Sequence, residues 1–395
     1  MKILILNSGS SSIKYKLMQM PSETVICEGL IERIGSADAV FRYSSKNADI
    51  SESRKISSHN EGLELIVRYL AEGETAVIRN VKDIDAVGHR VVHGGNAFTD
   101  TTLITEAVKS KVKELSNLAP LHNPHNLEGI NLAEKLFPSA KQVAVFDTAF
   151  HQSIPPKSKK YALPKQWSSE YGIEVYGFHG TSHKYVAAKA NEYLRKDQTR
   201  IVTIHLGNGC SMTAVQDGKS VEHSMGFTPS NGLIMGTRSG DIDPFIIFHL
   251  VFNLGYELES VRHQLLKESG MKGLTGYTDL RDIQREAADG KQECTLALEM
   301  NAHRIKKYVG SYAAIMNGLD AIVFTAGIGE NSAVLRELVC RDMQFLGIEL
   351  DQAKNTQRSV DLREISSAHS RVKVLVIPTD EELEIATQTY KLCKE

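Results

Sequence analysis

The sequence has 395 residues, 42% hydrophobic and 24% charged, an ordinary globular composition long enough for two to three domains that each bury a core. Lys and Arg number 46 against 48 Asp and Glu, and a formal net charge of −2 gives no electrostatic case for nucleic-acid or membrane binding. Five scattered cysteines without a C-x-x-C pair argue against a disulfide scaffold or zinc site, and no apolar run approaches a signal peptide or membrane helix, so a cytoplasmic protein is expected.

Short apolar, β-branched runs alternate with amphipathic stretches along the chain. The runs Ile3–Leu6, Ala86–Val92, Gln142–Phe146, Ile201–Leu206, Ala321–Thr325 and Val372–Ile377 predict buried strands, while Ser260–Leu266 and Lys291–Met316 read at helical period. This pattern predicts an α/β fold. Prolines and lysines at 151–160 mark the expected seam, giving an N-terminal domain over 1–150 and a C-terminal one over 151–383. A final helix over 384–395 is expected to pack back on the first domain.

Residues 3–17 read as strand, Gly/Ser turn, strand, and residues 201–215 repeat that pattern about 200 residues later, continuing to a hairpin turn at Asp217-Gly218. A third strand runs into Gly327-Ile-Gly-Glu-Asn331. Such turns suit phosphate, because backbone N–H groups converge on an anion without Cβ obstruction. In Asn7-Ser-Gly-Ser-Ser-Ser12-Ile-Lys14, Ser12 and Lys14 fall on one strand face, so the segment is either a phosphate cradle or a polar surface hairpin. The duplication favours the cradle and suggests two related domains with a cleft between them. Gly218-Lys219-Ser220 is not a P-loop, since Thr213 stands where its first glycine belongs. Kinase-type, zincin and hydrolase motifs are also missing.

Arg90, His179 and Arg238 each sit among apolar residues or glycines, where a cation requires an anionic partner. One such residue suggests a structural ion pair; three beside phosphate-type turns suggest an anion-handling site. Asp147 ends the strand Gln142–Phe146 and Glu381 follows the last strong strand, so each is either a metal-binding or catalytic carboxylate or a helix N-cap.

Eight of these segments, in order, closely resemble the acetate and propionate kinase family: 7–14, 88–95, 146–151, 177–183, 205–209, 236–241, 327–331 and 378–383. The resemblance spans nearly the whole chain. It implies the duplicated two-domain α/β fold of the sugar kinase, heat-shock chaperone and actin superfamily, with the active-site cleft between the domains. It also implies a reversible phosphoryl transfer between ATP and acetate, giving acetyl phosphate and ADP. Asn7 and Glu381 are then Mg²⁺ partners, with Mn²⁺ as a substitute. Ser10, Ser12, Lys14, His205, Leu206, Gly207, Asn208, Gly209, Asp279, Leu280, Arg281, Gly327, Ile328, Gly329, Glu330 and Asn331 resemble the ATP-binding set of the C-terminal nucleotide domain and its neighbour.

By the same resemblance Arg90 binds the acceptor carboxylate, while Val92, Leu121, Phe178 and Pro229 line a small alkyl pocket. His179 and Arg238 correspond to transition-state stabilisers and Asp147 to a carboxylate at the reaction centre. Asp147 is expected to orient a metal-bound water or a histidine, since a carboxylate acceptor needs no general base. A homodimer is implied as well. The alternatives are a propionate or other short-chain acid kinase, or an actin- or chaperone-like ATPase. Two departures from the family pattern are Ala326, where many members have Gly, and Asp380, where many have Asn.

Overall fold

The computed structural model describes residues 1–120 and 122–394, which fall into two compact units. The first comprises Met1–Phe150 with Asp380–Glu395, the second His151–Thr379.

In the first unit, β1 (Lys2–Ser8), β2 (Ser12–Gln19), β3 (Thr24–Glu32), β4 (Ala39–Ser45), β5 (Asp49–Arg54), β6 (Ala86–Val91), β7 (Thr102–Leu103) and β8 (Lys141–Phe146) form one sheet in the order β5-β4-β3-β2-β1-β6-β8-β7. The apolar run of β1 serves two cores at once. Leu4 and Leu6 face one cluster with Ile13, Ile31 and Phe41, while Ile3 and Ile5 face another with Ala86, Val143 and Val145. A strand covered on both faces reads as a continuous apolar run, which is why β1 was legible. The antiparallel meander β3–β5 was not expected; β5 alternates exposed and half-buried residues and carries no apolar run.

Helix α1 (His59–Ala71) closes the first core with Leu63, Ile66 and Leu70 at helical spacing. Its N-terminus is capped reciprocally: Glu61 N–H donates to Ser58 Oγ, and Glu61 Oε2 accepts from Ser57 N–H. Helix α2 (Asn123–Leu136) buries Ala133 in the same core. The C-terminal helix covers the opposite face with Ile385, Ala386 and Cys393. It runs Glu381–Lys394, opening three residues before the expected 384, because Asp380 accepts the Leu383 N–H at 2.9 Å and starts the helix earlier. Only glycine fits at position 88, where an added Cβ would lie 2.6 Å from Thr389 Oγ1 and 2.9 Å from Ile385 Cγ2 on that helix.

The second unit holds β9 (Arg200–Leu206), β10 (Cys210–Gln216), β11 (Lys219–His223), β12 (Ala321–Thr325), β13 (Arg363–Glu364) and β14 (Lys373–Val376), in the order β11-β10-β9-β12-β14-β13. Its core strands repeat the first unit. In both sheets an antiparallel hairpin and third strand flank a leading strand, which on its other side pairs parallel with a later strand that in turn pairs parallel with another. The duplicated α/β architecture expected from the two strand–turn–strand segments is therefore present. Asp217 and Gly218, both at positive φ, make the expected two-residue hairpin turn between Gln216 and Lys219. Helices α3 (Gly180–Leu194), α4 (Leu280–Ala288) and α5 (Gln292–Ile315) belong to this unit.

Candidate active site

In the first unit the β1–β2 turn is tight: Gly9 N–H donates to Ser12 C=O at 2.8 Å, and His59 Nε2 is hydrogen-bonded to the Gly9 carbonyl at 2.7 Å. Ser10 is exposed at its tip and Ser12 is half-buried. Asn7 and Lys14 face each other in register across the hairpin. The Lys14 ammonium stays half exposed but pairs with the buried Glu382 at 2.8 Å. Neither His59 nor Glu382 was singled out from the sequence.

Arg90, on β6, is held side-on by Asp147. Its Nε donates to Asp147 Oδ1 at 3.0 Å and its Nη2 to Oδ2 at 2.7 Å. Burial works against the guanidinium charge, but Asp147 and Glu381 outweigh it and raise the Arg90 pKa. Its third nitrogen, Nη1, lies 3.8 Å from Glu381 Oε2. Asp147 was expected to orient a metal-bound water or a histidine; the structure shows its carboxylate aligned with Arg90. Glu381 opens the C-terminal helix, and burial together with the nearby Asp147 and Glu382 raises its carboxyl pKa against the opposing pull of Arg90.

The loop after β6 is pinned by two asparagines of α2. Asn126 accepts from Val92 N–H and donates to Ser8 C=O, tying that loop to β1. Asn123 exchanges hydrogen bonds with both backbone groups of His93. The signal available in the sequence was Asn123-Pro-His-Asn126, two amides one helical turn apart beside a helix-starting proline. Val92 is buried here. Leu121, assigned to the alkyl pocket, lies outside the described residues.

In the second unit, the β9–β10 turn Gly207–Gly209 closes through Gly207 N–H to Gly209 C=O at 3.1 Å. Asn208 C=O accepts from Gly236 N–H, which joins this turn to the segment carrying Arg238. Glycine at 209 leaves open the space where His179 and Arg238 converge: an added Cβ would lie 3.4 Å from His179 Nε2 and 3.8 Å from Arg238 Nη1. His179 itself is left-handed, with φ 56°, at the start of α3. A non-glycine residue in that region costs about 1–3 kcal/mol, and such outliers concentrate where function requires them.

Arg238 Nη1 donates to Pro229 C=O at 2.6 Å and contacts Met235 Sδ. Among the described residues no carboxylate pairs with it, and burial pulls its pKa down. Phe178 is buried beside His179, and Pro229 is half-buried. His205 stacks on His179 with ring centroids 4.3 Å apart and is hydrogen-bonded to Ser182. The Leu206 side chain belongs to the core.

Gly327–Asn331 is a single helical turn, Ala326–Asn331, rather than an open loop. A fully buried arginine braces its end: Arg336 Nη1 donates to Gly329 and Glu330 carbonyls, and Nε and Nη2 to Asn355. Burial lowers the Arg336 pKa to about 10. The Glu330 carboxylate accepts from Thr379 N–H, so its side chain acts as a strut. Asp279 caps α4 and pairs with the exposed Arg281, and Gln284 of the same helix reaches Ser332 just past Asn331.

Ala326 sits at φ 62°, a conformation glycine adopts freely. Ala326→Gly is expected to raise stability by about 0.5–1 kcal/mol, relief of that strain outweighing glycine's greater unfolded-state entropy. A urea midpoint equal to or below that of the parent would contradict it.

Residues 2–387 match the model of the acetokinase family. An acetate kinase of Flavobacterium johnsoniae is 59% identical over 392 residues, covering 99% of both chains, and one of Thermotoga maritima is 50% identical over 403 residues, covering 100% of this chain and 99% of its own. Among solved structures, the acetate kinase of Porphyromonas gingivalis superposes with a TM-score of 0.93 at 44% identity, and a propionate kinase of Francisella tularensis with 0.93 at 41%, each covering 99% of both chains. Matching the family model over residues 2–387 and 59% identical to one relative over nearly its full length, this chain belongs to the acetokinase family.

Proposed function

We propose that the protein transfers the terminal phosphoryl group of ATP to acetate, reversibly and by direct in-line displacement, giving acetyl phosphate and ADP. The observation that carries this reading is Arg238, a partly buried guanidinium that no carboxylate pairs among the described residues, converging with His179 on the open space at Gly209. In phosphoryl transfer the charge spreads over three equatorial oxygens, and cationic or N–H-bearing groups aimed there lower the barrier. His179 and Arg238 take that role. Arg90, aligned by Asp147, holds the acceptor carboxylate, an already competent nucleophile. An ATPase with water as acceptor has no use for such an arginine.

The residues present suit Mg²⁺. Glu381 carries a carboxylate whose charge burial and neighbouring acids disfavour, which a cation would relieve, while Asp147 is already committed to Arg90. Asn7 adds an amide oxygen, and Mg²⁺ typically takes one or two protein ligands beside water and phosphate. When bound, the ion neutralises charge on the nucleotide phosphates. Ser10, Ser12, Lys14, the 205–209 turn, residues 279–281 and the 327–331 turn serve ATP; Val92, Leu121, Phe178 and Pro229 serve the acid's alkyl group.

Propionate is a second acceptor to consider, because a propionate kinase is among the well-superposing structures. One methylene in an apolar pocket is worth only about 1–3 kcal/mol. The decisive assay supplies ATP, Mg²⁺ and hydroxylamine with acetate, propionate or butyrate in turn. Hydroxamate formed only with both ATP and acid, fastest with acetate, is the expected result; ATP hydrolysis without hydroxamate would refute the reading.

We further propose a cytoplasmic homodimer. Phe245, Phe252 and Leu258 are 71%, 78% and 63% exposed on one segment, an apolar surface larger than isolated exposed side chains produce. The five cysteines are unpaired, and among the described residues no helix is long and apolar enough to cross a membrane. Sedimentation should give twice the 43.7 kDa chain mass, and Phe252→Glu should shift it toward the monomer.

A further inference from the structure

The inner face of the second sheet is polar where a helix-covered face is ordinarily apolar. Thr203 and His205 alternate along β9, Ser211 and Thr213 along β10, and His223 ends β11, each buried. Helix α3 sets Ser182 and His183 against them, both fully buried. Buried polar groups are retained at this density only when each is satisfied and the network has a use.

The donor directions follow once the Thr203 hydroxyl is assigned to the Thr213 carbonyl. Thr203 Oγ1 donates to Thr213 C=O at 3.5 Å, so it accepts from His183 Nδ1–H at 2.7 Å. A neutral His183 then accepts at Nε2 from the Ser211 hydroxyl, also at 2.7 Å. With its proton so placed, Ser211 Oγ accepts from His179 Nδ1–H at 2.9 Å. Burial, and then the neighbouring His151 and His205, hold the His183 pKa well below its ordinary value, consistent with the neutral ring this chain requires.

The residue before His179 is held by the same network. Phe178 N–H donates to His223 Nε2 at 3.1 Å, which leaves His223 Nδ1–H for Thr213 Oγ1 at 2.8 Å. Phe178 C=O accepts from His151 Nε2–H at 3.0 Å, which leaves His151 Nδ1 for the Ser220 hydroxyl. Both peptide groups ahead of the left-handed His179 are thus fixed by histidines of set tautomer.

We propose that Ser211 and His183 are positioning residues for phosphoryl transfer: their relay fixes His179 as the Nδ1–H tautomer and aims its Nε2 edge toward the space beside Gly209 and Arg238. The inference rests on the reading of His179 as a transition-state stabiliser. A proton gained at Nε2 then makes His179 an imidazolium whose other N–H is already engaged, so its charge is delivered in one orientation. Among the described residues, Arg238, the stacked His205, His223, and His183 behind Ser211 are titratable or charged groups near that ring.

The test uses the full-length protein with ¹⁵N-labelled histidine, His179 being assigned by its loss in His179→Gln. The wild type is expected to show His179 as Nδ1–H when neutral, with that preference lost in Ser211→Ala. Turnover in Ser211→Ala is expected to fall about ten-fold, the scale seen when a partner orienting a functional histidine is removed, with KM for ATP and acid within about three-fold, and Ser211→Thr to recover most of it. An Nε2–H tautomer in the wild type overturns the relay even if Ser211→Ala fails to fold. Unchanged turnover in Ser211→Ala, or equal loss in Ser211→Thr, also overturns it. The nitrogen signals report on the relay whether or not any acid is phosphorylated, so failure of the proposed reaction is told apart from failure of the relay.

Discussion

Arg238→Ala is expected to lower kcat by about two to three orders of magnitude while KM for ATP moves by less than about three-fold. Among the described residues the guanidinium's hydrogen-bond partners are Pro229 C=O and Met235 Sδ, and burial already disfavours its charge. Its energetic return therefore comes when an anion arrives, and most when that anion's charge is spreading in the transition state. A second consequence separates this from a structural role. Removing a partly buried cation without a carboxylate partner should leave the folded state as stable as before or slightly more so. Steady-state kinetics beside a urea titration would show both. A variant that loses stability and turnover together, or that loses ATP affinity as strongly as kcat, would mean that Arg238 braces the nucleotide turn instead. Arg238→Lys should recover little, since a single-nitrogen ammonium lacks the planar fork that holds Pro229 C=O through one nitrogen and presents another to the phosphoryl group.

Asp147→Ala is expected to cost about 3 kcal/mol of stability and to raise the KM for the acid much more than that for ATP. Asp147 is 1% exposed, and its two oxygens hold Arg90 side-on. Without it the guanidinium remains in a site where burial opposes its charge, steadied by Glu381 at 3.8 Å through Nη1 and more weakly by Glu382. The freed arginine would turn toward Glu381 and leave the acceptor misaligned. A double-mutant cycle with Arg90→Met is the appropriate measurement. The double variant should be more stable than Asp147→Ala alone, because it removes the stranded charge. Additive losses, or a KM for acid unchanged in Asp147→Ala, would return Asp147 to a role at the metal.

The two strand–turn–strand units were readable because every determinant is local. An apolar run, a Gly/Ser bend and a second alternating run lie within about fifteen residues, and Asp217-Gly218 carries its own turn chemistry. The meander β3–β5 was not readable, since a polar edge such as Asp49–Arg54 becomes a strand only by pairing with its neighbour. That Arg90 needs an anionic partner was also legible: it is a cation set among apolar residues and glycines, and desolvation demands the carboxylate that Asp147 supplies.

The identity of that partner was not. Asp147 had two open readings in sequence, as a strand-end carboxylate or a cap, and its assignment to Arg90 spans 57 positions joined only because β6 and β8 are parallel neighbours. Arg336 and the histidine network gave no signal, because a buried arginine on carbonyls or a chain of imidazoles and hydroxyls is recognised by distances, not spacing. By itself, then, the sequence determined the α/β duplication, the glycine turns and the residue types that handle anions, because hydrophobic period and turn chemistry act over a few neighbours. Only the tertiary structure decided which carboxylate aligns Arg90, which arginine has no acidic partner among the described residues and that His179 Nδ1 meets Ser211, because hydrogen bonds at about 3 Å depend on how distant strands are brought side by side.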